Sequence, residues 1–200
     1  MASKRNPIRN QVVVAGVGYS PVARRLPYGE LEMTLISVRE ALTDAGLVAD
    51  DLDGIASYPD RAGSGTFSGP TVMDVARGMG LDHLRFWQGS AGNGPAQLAA
   101  PIAAAYAIHA GTADVVVCYR TVKAQRRTET AARRSLSESW LDSQYYAPYG
   151  IAGSAPRWAV MARRFLHDSG QDTEALAAVV VNNRTHTRSA IHAQYGTTSR

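Results

Sequence analysis

Residues 86–98 have the residue types and spacing most typical of a reactive site; they read Phe-Trp-Gln-Gly-Ser-Ala-Gly-Asn-Gly-Pro-Ala-Gln-Leu. The pattern predicts a strand that stops in a turn of small residues and resumes as a helix. A helix N-terminus favours negative charge through its free backbone N–H groups and its dipole, and it stabilises a thiolate nucleophile. The turn contains Ser90, Ala91, Asn93 and Gly94 but no cysteine. It therefore resembles a nucleophile position without a thiol.

Two roles are open for Ser90 and Asn93. Serine and asparagine are common helix caps, so both residues can simply shape the turn. Alternatively, they donate hydrogen bonds, together with backbone N–H groups, to an oxygen that becomes negative during a reaction. Ser90 is disfavoured as a hydrolytic nucleophile, because neither a Gly-x-Ser-x-Gly motif nor a paired histidine accompanies it.

The second candidate site is the basic run at residues 120–134. It begins with Arg120, Lys123, Arg126 and Arg127. Arginine pairs phosphate groups through two hydrogen bonds, which makes the run a candidate phosphate-binding segment, and a solvated charged surface is the equal alternative. Glu129, Glu138 and Asp142 interrupt the basic residues and no nucleic-acid-binding motif accompanies them, so we expect no nucleic-acid partner.

We expect no metal site. Cys118 is the single cysteine, which excludes an intrachain disulfide and a multi-cysteine metal site. His186 and His192 are six residues apart, a spacing that places them on different faces of a helix. Three tyrosines remain as candidates for an acid–base phenol or the lining of an apolar tunnel, although packing is the more common role: Tyr145, Tyr146 and Tyr149.

The composition is that of a globular domain of 200 residues, 45% hydrophobic and 19% charged, with a net charge of +4. No stretch approaches the about 20 consecutive apolar residues that a membrane span requires. The polar N-terminus has no apolar run suited to a signal peptide. Together with the single cysteine, this predicts a protein of the reducing cytoplasm.

The elements that would position the turn alternate between strands and helices. Residues 11–18 are apolar on both faces, which predicts a strand in the middle of a covered sheet. Their Gly-x-Gly is a poor dinucleotide fingerprint, because Tyr-Ser-Pro follows where the third glycine belongs. A helix is predicted over Glu30–Ala45, with an apolar stripe and a stop at Gly46. The stripe consists of Leu31, Leu35, Val38 and Leu42.

A second strand is predicted within residues 51–58, followed by a mobile glycine-rich loop at 59–70 and a short helix at 71–79. The helix after the turn is expected to begin near Pro95. Its predicted buried face comprises Leu98, Ile102, Ala105 and Ile108. Pro101 would lie in the helix interior, at a cost of about 3 kcal/mol or a kink. A last strand at 113–119 completes a mostly parallel α/β sheet covered by helices.

Residues 122–200 break this alternation and are expected to begin an inserted cap. A helix is predicted from Ser154 to His167, and a further helix over Thr173–Thr187. The first of them has Trp158, Met161, Ala162 and Phe165 on one face. Residues 188–200 are expected to be irregular.

Four segments in this order resemble the thiolase superfamily, in particular its thiolase-like lipid-transfer branch, related to sterol-carrier-protein thiolases. They are residues 14–21 (Val-Ala-Gly-Val-Gly-Tyr-Ser-Pro), 42–53 (Leu-Thr-Asp-Ala-Gly-Leu-Val-Ala-Asp-Asp-Leu-Asp), 94–117, ending in Ala-Asp-Val-Val-Val, and 181–192 (Val-Asn-Asn-Arg-Thr-His-Thr-Arg-Ser-Ala-Ile-His). The resemblance implies a thiolase-like N-terminal half over residues 1–121, with a mixed or parallel sheet, and a partly helical cap over 122–200. The second thiolase half, which brings a catalytic histidine and a second cysteine motif, would lie outside these residues.

The resemblance also implies a reaction. Thiolases have a cysteine in the turn, and aligning Gly94 with the motif glycine places Ala91 at that position; a shift of one residue would place Ser90 there. Cys118 lies in the next strand and is expected to be a buried core thiol. The chain is thus similar to the cysteine-less retro-aldolases of steroid side-chain degradation, which cleave a β-hydroxyacyl-CoA to a ketone or aldehyde and a shorter acyl-CoA such as propionyl-CoA.

This family resemblance implies further properties. The basic residues from Arg120 to Arg127 would bind the CoA phosphates, and no cofactor is needed because CoA is part of the substrate. The partners would be a second copy of the chain and a small OB-fold protein, together a heterotetramer, and the general base would come from the second half. Two alternatives remain: a non-catalytic acyl-CoA or sterol carrier, and an assembly subunit of a partner thiolase.

Overall fold

A computed structural model describes residues 8–23, 26–58, 69–90, 97–122, 145, 147–151 and 154–187. The chain forms two compact units, Met1–Ala124 and Gln125–Arg200. The predicted loop at 59–70 lies mostly outside the described residues, and the irregular segment predicted at 188–200 lies wholly outside them.

The first unit is built on a parallel sheet of three short strands, β1 (Gly54–Ser57), β2 (Phe86–Gly89) and β3 (Val116–Tyr119). The order is β2-β1-β3, with Ser57 of β1 in register with Gly89 and Tyr119. The chain therefore moves one way from β1 to β2 and back across β1 to β3. Because parallel crossovers are right-handed, the two connecting helices belong on opposite faces of the sheet. This confirms the predicted α/β fold.

On one face, helices α1 (Glu30–Ala45) and α2 (Val72–Met79) cover the sheet. Gly46 ends α1 in the left-handed conformation that glycine adopts at low cost, as predicted. Thr71 caps α2 reciprocally with Asp74. The core between these helices and the sheet contains Val38, Leu42, Leu52, Ile55, Val75, Ala76 and Tyr119. Leu31, assigned to the α1 stripe, is exposed instead.

On the other face lies helix α3 (Ala99–His109), which contacts all three strands. The predicted buried face was wrong: Ala100, Ala104 and Ala107 are buried, whereas Leu98 and Ile102 are more than half exposed. Small side chains face the sheet because they let the helix approach β1 closely. The prediction that Pro101 lies in the helix interior was also wrong. It lies in the first turn of α3, where its missing N–H would have no helical partner.

The apolar run at residues 11–18 is not a strand, contrary to the prediction. The segment lies extended against α1, with the N–H of Val17 donating to Asp44 Oδ2 at 2.9 Å. Val13 and Val14 are 82% and 86% exposed. Gly16 and Gly18 face the helix so closely that a Cβ on either would overlap α1 backbone atoms. An apolar run indicates extended backbone, but it does not fix whether a strand or a helix becomes its neighbour.

The second unit contains helices α4 (Ser154–Ser169) and α5 (Thr173–Thr187), close to the predicted bounds. Leu166 is buried, whereas Trp158, Met161 and Phe165 are exposed on α4. None of the helices traced among the described residues combines the length and the hydropathy of a membrane-crossing segment.

Candidate active site at the carboxyl edge of the sheet

The carboxyl ends of β1, β2 and β3 meet at one edge of the sheet, which we call the carboxyl edge. After β1 the chain passes to α2 on one face, and after β2 it passes to α3 on the other. In open α/β sheets, ligands bind in the crevice outside the carboxyl ends of strands where the direction of connection reverses. For the order β2-β1-β3, that position lies between the ends of β1 and β3.

Ser90 follows β2 directly and lies at the carboxyl edge, on the side of β1 away from β3. Its backbone N–H donates to the carbonyl oxygen of Ser57 at 2.8 Å, which continues the β1–β2 pairing by one residue. Ser90 is 5% exposed, and among the described residues its hydroxyl has no hydrogen-bond partner. The other residues of the predicted turn, Ala91, Asn93 and Gly94, lie outside the described residues. Their predicted role as oxyanion donors therefore stays a prediction.

Ser57, the last residue of β1, is a polar residue that the sequence reasoning missed. It is 1% exposed, and its hydroxyl, like that of Ser90, has no hydrogen-bond partner in the part of the chain that the structure describes. The one sequence signal is its position as the last, polar residue of the short strand Gly-Ile-Ala-Ser. Whether its hydroxyl finds a hydrogen-bond partner depends on tertiary contacts, which the local sequence pattern does not reveal.

The neighbouring buried hydroxyls are all paired. Thr34 Oγ1 donates to the carbonyl oxygen of Glu30 at 2.9 Å and lies 2.5 Å from Thr121 Oγ1. The hydroxyl of Tyr119 donates to the carbonyl oxygen of Pro70 at 2.7 Å. These bonds tie α1 and the segment before α2 to the end of β3. Buried hydroxyls at the carboxyl edge are therefore hydrogen-bonded, as is usual in proteins, and those of Ser57 and Ser90 are the exceptions among the described residues.

Arg120 brings a positive charge to the same edge. It follows β3, and its guanidinium lies 5.7 Å from the centre of the Tyr58 ring, which follows β1. A cation over an aromatic face is attracted by the ring quadrupole, so Tyr58 helps to orient the charge. Lys123, Arg126 and Arg127, predicted to act with Arg120, lie outside the described residues.

The opposite edge of the sheet carries a charged network around Asp53. Its carboxylate accepts the N–H groups of Asp114 and Val115 at 2.9–3.0 Å and lies 3.1 Å from Arg85 Nη1. Arg85 also pairs with Asp114 Oδ2 at 2.9 Å. One side chain thus joins the amino ends of all three strands. It lies at the edge away from the crevice and has a structural role.

Cys118 is not the buried core thiol that was expected. The residue is exposed on β3, an outer strand of the described sheet. Partial burial of its sulfur nevertheless raises the pKa of the thiol to about 11. Since the thiolate is the nucleophile, this cysteine is poorly suited to covalent chemistry near pH 7.

The remaining predicted residues lie apart from the carboxyl edge in sequence. Tyr145 and Tyr149 are exposed in the second unit, and His186 lies on α5. Tyr146 and His192 are outside the described residues. Within the part of the chain that the structure describes, no group of three or more His, Cys, Asp or Glu side chains could hold a metal ion.

Comparison with known proteins finds relatives that match most of this chain. No protein-family model matches the chain. It is 29% identical over 184 residues to 17-hydroxy-3-oxo-4-pregnene-20-carboxyl-CoA lyase of Mycobacterium tuberculosis, covering 90% of this chain and 46% of the lyase. It is 30% identical over 179 residues to a steroid side-chain-cleaving aldolase of Thermomonospora curvata, covering 86% of this chain and 44% of the aldolase.

A solved structure, that of the Ltp2-ChsH2(DUF35) aldolase, superposes with a TM-score of 0.73 at 29% identity. The match covers 91% of this chain and 45% of that chain. The chain is similar to steroid side-chain-cleaving aldolases. It spans about half the length of the relatives it matches.

Proposed function

We propose that the chain is part of a carbon–carbon lyase that cleaves a β-hydroxyacyl-CoA, with a steroid side chain as the acyl group. The observation that carries the proposal is the likeness at 29–30% identity, over most of this chain, to two proteins named as a steroid carboxyl-CoA lyase and a steroid side-chain-cleaving aldolase. Within this class, we assign the chain to the thiolase-like lipid-transfer branch on the motifs described above.

The proposed reaction is a retro-aldol cleavage. A general base takes the proton of the β-hydroxyl, the Cα–Cβ bond breaks, and its electrons pass to the thioester, which becomes an enolate. The β-carbon leaves as a ketone, and protonation of Cα gives a shorter acyl-CoA such as propionyl-CoA. No bond forms to the protein, so the reaction requires hydrogen-bond donors to the enolate oxygen rather than a nucleophile.

The residues of this chain are given roles accordingly. The turn with Ser90, Ala91, Asn93 and Gly94 would bind the thioester oxygen, supported by the position of Ser90 at the carboxyl edge of the sheet. Arg120 would meet the CoA phosphates, supported by its place at the same edge. Lys123, Arg126 and Arg127 would extend that contact. We assign the general base to a region that corresponds to the unmatched half of the longer relatives.

The proposal extends to assembly and location. The enzyme would work as a homodimer with a small OB-fold partner protein, in agreement with the two components named in the similar aldolase structure. It would need no cofactor, since CoA is part of the substrate. A cytoplasmic location fits an acyl-CoA substrate and a free cysteine.

The test is turnover of 17-hydroxy-3-oxo-4-pregnene-20-carboxyl-CoA by the complete native polypeptide, together with any protein that copurifies with it. We expect chromatography with mass detection to show loss of the substrate and equal amounts of a steroid ketone and propionyl-CoA. Tight binding of the thioester without cleavage would reject the lyase and favour the acyl-CoA carrier. Activity only towards 3-ketoacyl-CoA with free CoA would indicate a thiolase instead.

Cys118→Ala is expected to leave cleavage within about threefold of the unsubstituted protein, because the proposed reaction has no thiol step. The raised pKa of the thiol also predicts slow alkylation by iodoacetamide at pH 7.5, rising as the pH approaches 11, since the thiolate fraction rises with it. Parallel measurements of kcat/KM and of alkylation rate check both points. Complete loss of activity in a folded variant would place the thiol in the reaction.

A further inference from the structure

Arg120 and Tyr58 meet across the carboxyl ends of β3 and β1. The N–H of Tyr58 donates to the carbonyl oxygen of Tyr119 at 3.1 Å, which continues the β1–β3 pairing by one residue. The guanidinium carbon of Arg120 lies 5.7 Å from the centre of the Tyr58 ring. For the strand order β2-β1-β3, the pair lies at the position where the direction of connection reverses, which is the usual ligand position in an open α/β sheet.

The residues on both sides of Arg120 are anchored. Tyr119 and Thr121 are each 8% exposed, whereas Arg120 between them is exposed. The hydroxyl of Tyr119 donates to the carbonyl oxygen of Pro70 at 2.7 Å, and the hydroxyl of Thr121 is hydrogen-bonded to that of Thr34. A charged side chain that extends from a fixed backbone loses less freedom when a ligand binds, so Arg120 is preorganised for binding.

The Tyr58 ring orients Arg120 without neutralising its charge. An aromatic face attracts a cation through its quadrupole but carries no negative charge of its own. None of the ion pairs within the described ranges includes Arg120. At the opposite edge of the sheet, Arg85 instead pairs with the carboxylates of Asp53 and Asp114. The charge of Arg120 is therefore available to an anionic ligand.

The chemistry of the guanidinium and its exposure select the ligand group. A guanidinium has five N–H donors in a planar fork, which matches two oxygens of a phosphate group. A charged phosphate loses much hydration when it is buried, so an exposed position suits it better than it suits an apolar acyl group.

We propose that Arg120 binds a phosphate group of acyl-CoA in a subsite between the ends of β1 and β3, and that Tyr58 is the positioning residue that holds its guanidinium there. The proposal rests on the proposed function for the ligand class. It adds Tyr58 and the ring contact through which Arg120 is held. The role requires the face of the ring rather than the phenol hydroxyl, so phenylalanine should replace tyrosine at this position.

The first experiment measures propionyl-CoA binding to the complete native polypeptide by calorimetry. Arg120→Gln should weaken binding about tenfold, the loss expected for hydrogen bonds to a charged group. Tyr58→Leu should weaken it about threefold through the lost cation–ring contact, and Tyr58→Phe should retain the affinity. Arg39→Gln, at an exposed arginine of α1, is the control for net charge and should have no effect. An equal loss in the Arg39 variant, or no binding to the unsubstituted protein, would overturn the proposal.

A double-mutant cycle separates positioning from a general structural role of Tyr58. In the Arg120→Gln background, Tyr58→Leu should weaken propionyl-CoA binding no further, because the ring acts through the arginine. A threefold loss in both backgrounds would reject the positioning role. Arg120→Gln changes an exposed side chain, so it tests the phosphate contact even if Tyr58→Leu does not fold.

A second ligand identifies the group that Arg120 meets. Propionyl-pantetheine has the same thioester as propionyl-CoA and no phosphate. Its affinity should be low and equal for the unsubstituted protein and the Arg120→Gln variant. A tenfold loss of propionyl-pantetheine affinity in that variant would place the arginine at the thioester and overturn the phosphate contact.

The two proposals fail in different ways. If propionyl-CoA binding depends on Arg120 and Tyr58 but no β-hydroxyacyl-CoA is cleaved, the phosphate subsite holds and the lyase is rejected. If cleavage proceeds and neither residue affects propionyl-CoA binding, the lyase holds and the phosphate subsite is rejected.

Discussion

Asp53→Ala is expected to destabilise the first unit by about 3 kcal/mol, a value typical of removing one partner from a buried, charge-assisted network. The carboxylate is almost fully buried and accepts two backbone N–H groups at the start of β3, and it pairs with Arg85 at the start of β2. Alanine would leave those donors without an acceptor. The urea midpoint and slope of the unit, followed by circular dichroism, measure the effect.

Two variants make the Asp53 prediction specific. Asp114→Ala removes the other carboxylate that meets Arg85, but that side chain is 81% exposed, so the loss should stay below about 1 kcal/mol. Asp53→Asn keeps one acceptor oxygen and should fall between the two. If Asp114→Ala proved as costly as Asp53→Ala, the network would owe its stability to the surface pair rather than to the buried carboxylate.

Buried polar groups are treated differently at the two ends of the strands, which we call the amino edge and the carboxyl edge. At the amino edge, Asp53 satisfies donors from two neighbouring strands, which holds the short strands in register. At the carboxyl edge, the hydroxyls of Ser57 and Ser90 have no partner within the described ranges, although paired hydroxyls such as that of Thr121 lie at the end of β3.

The sequence predicts local structure well where the signal is local. The Gly46 stop, the short helix predicted at 71–79 and the alternation of strands and helices all depend on neighbours within a few residues. The predicted buried face of α3 was wrong because apolar residues lie all around the helix. Only close packing against β1 decides that the alanines face inward. The charged network at Asp53 was not predicted for a related reason, since the partners of Asp53 lie 32 and 61 residues away in the sequence.

The candidate site shows the same division. The turn after β2 and the basic residue Arg120 were selected from the sequence, because their residue types are typical of anion binding. Ser57 was not, because serine at a strand end is common and whether its hydroxyl is paired depends on distant residues. Residues 11–18 were assigned to the sheet on an apolar pattern that an extended segment docked on α1 satisfies equally well.

Gly18→Val is expected to separate the extended segment 11–18 from α1, at a cost of about 2 kcal/mol, the range found for side chains forced into a packed contact. A Cβ at this position would overlap the carbonyl oxygen of Ser37 and the backbone nitrogen of Ala41, and neither atom can move without breaking the helix. The segment would move instead and lose the bond from the Val17 N–H to Asp44. Hydrogen exchange at the Val17 amide should become roughly 30-fold faster, the factor that corresponds to about 2 kcal/mol.

Gly29→Ala provides the matched control for Gly18→Val. Gly29 precedes α1 with φ −71°, a value open to alanine, and no atom lies within 4 Å of the added methyl group. Its effect should stay below about 1 kcal/mol, since alanine is a poorer N-cap residue than glycine by roughly that amount. Because both variants add side-chain carbon beside the same helix, a large effect of Gly18→Val alone would identify close backbone contact as the cause. Unchanged exchange at Val17 in the Gly18 variant would mean that the segment is not held against α1 in solution.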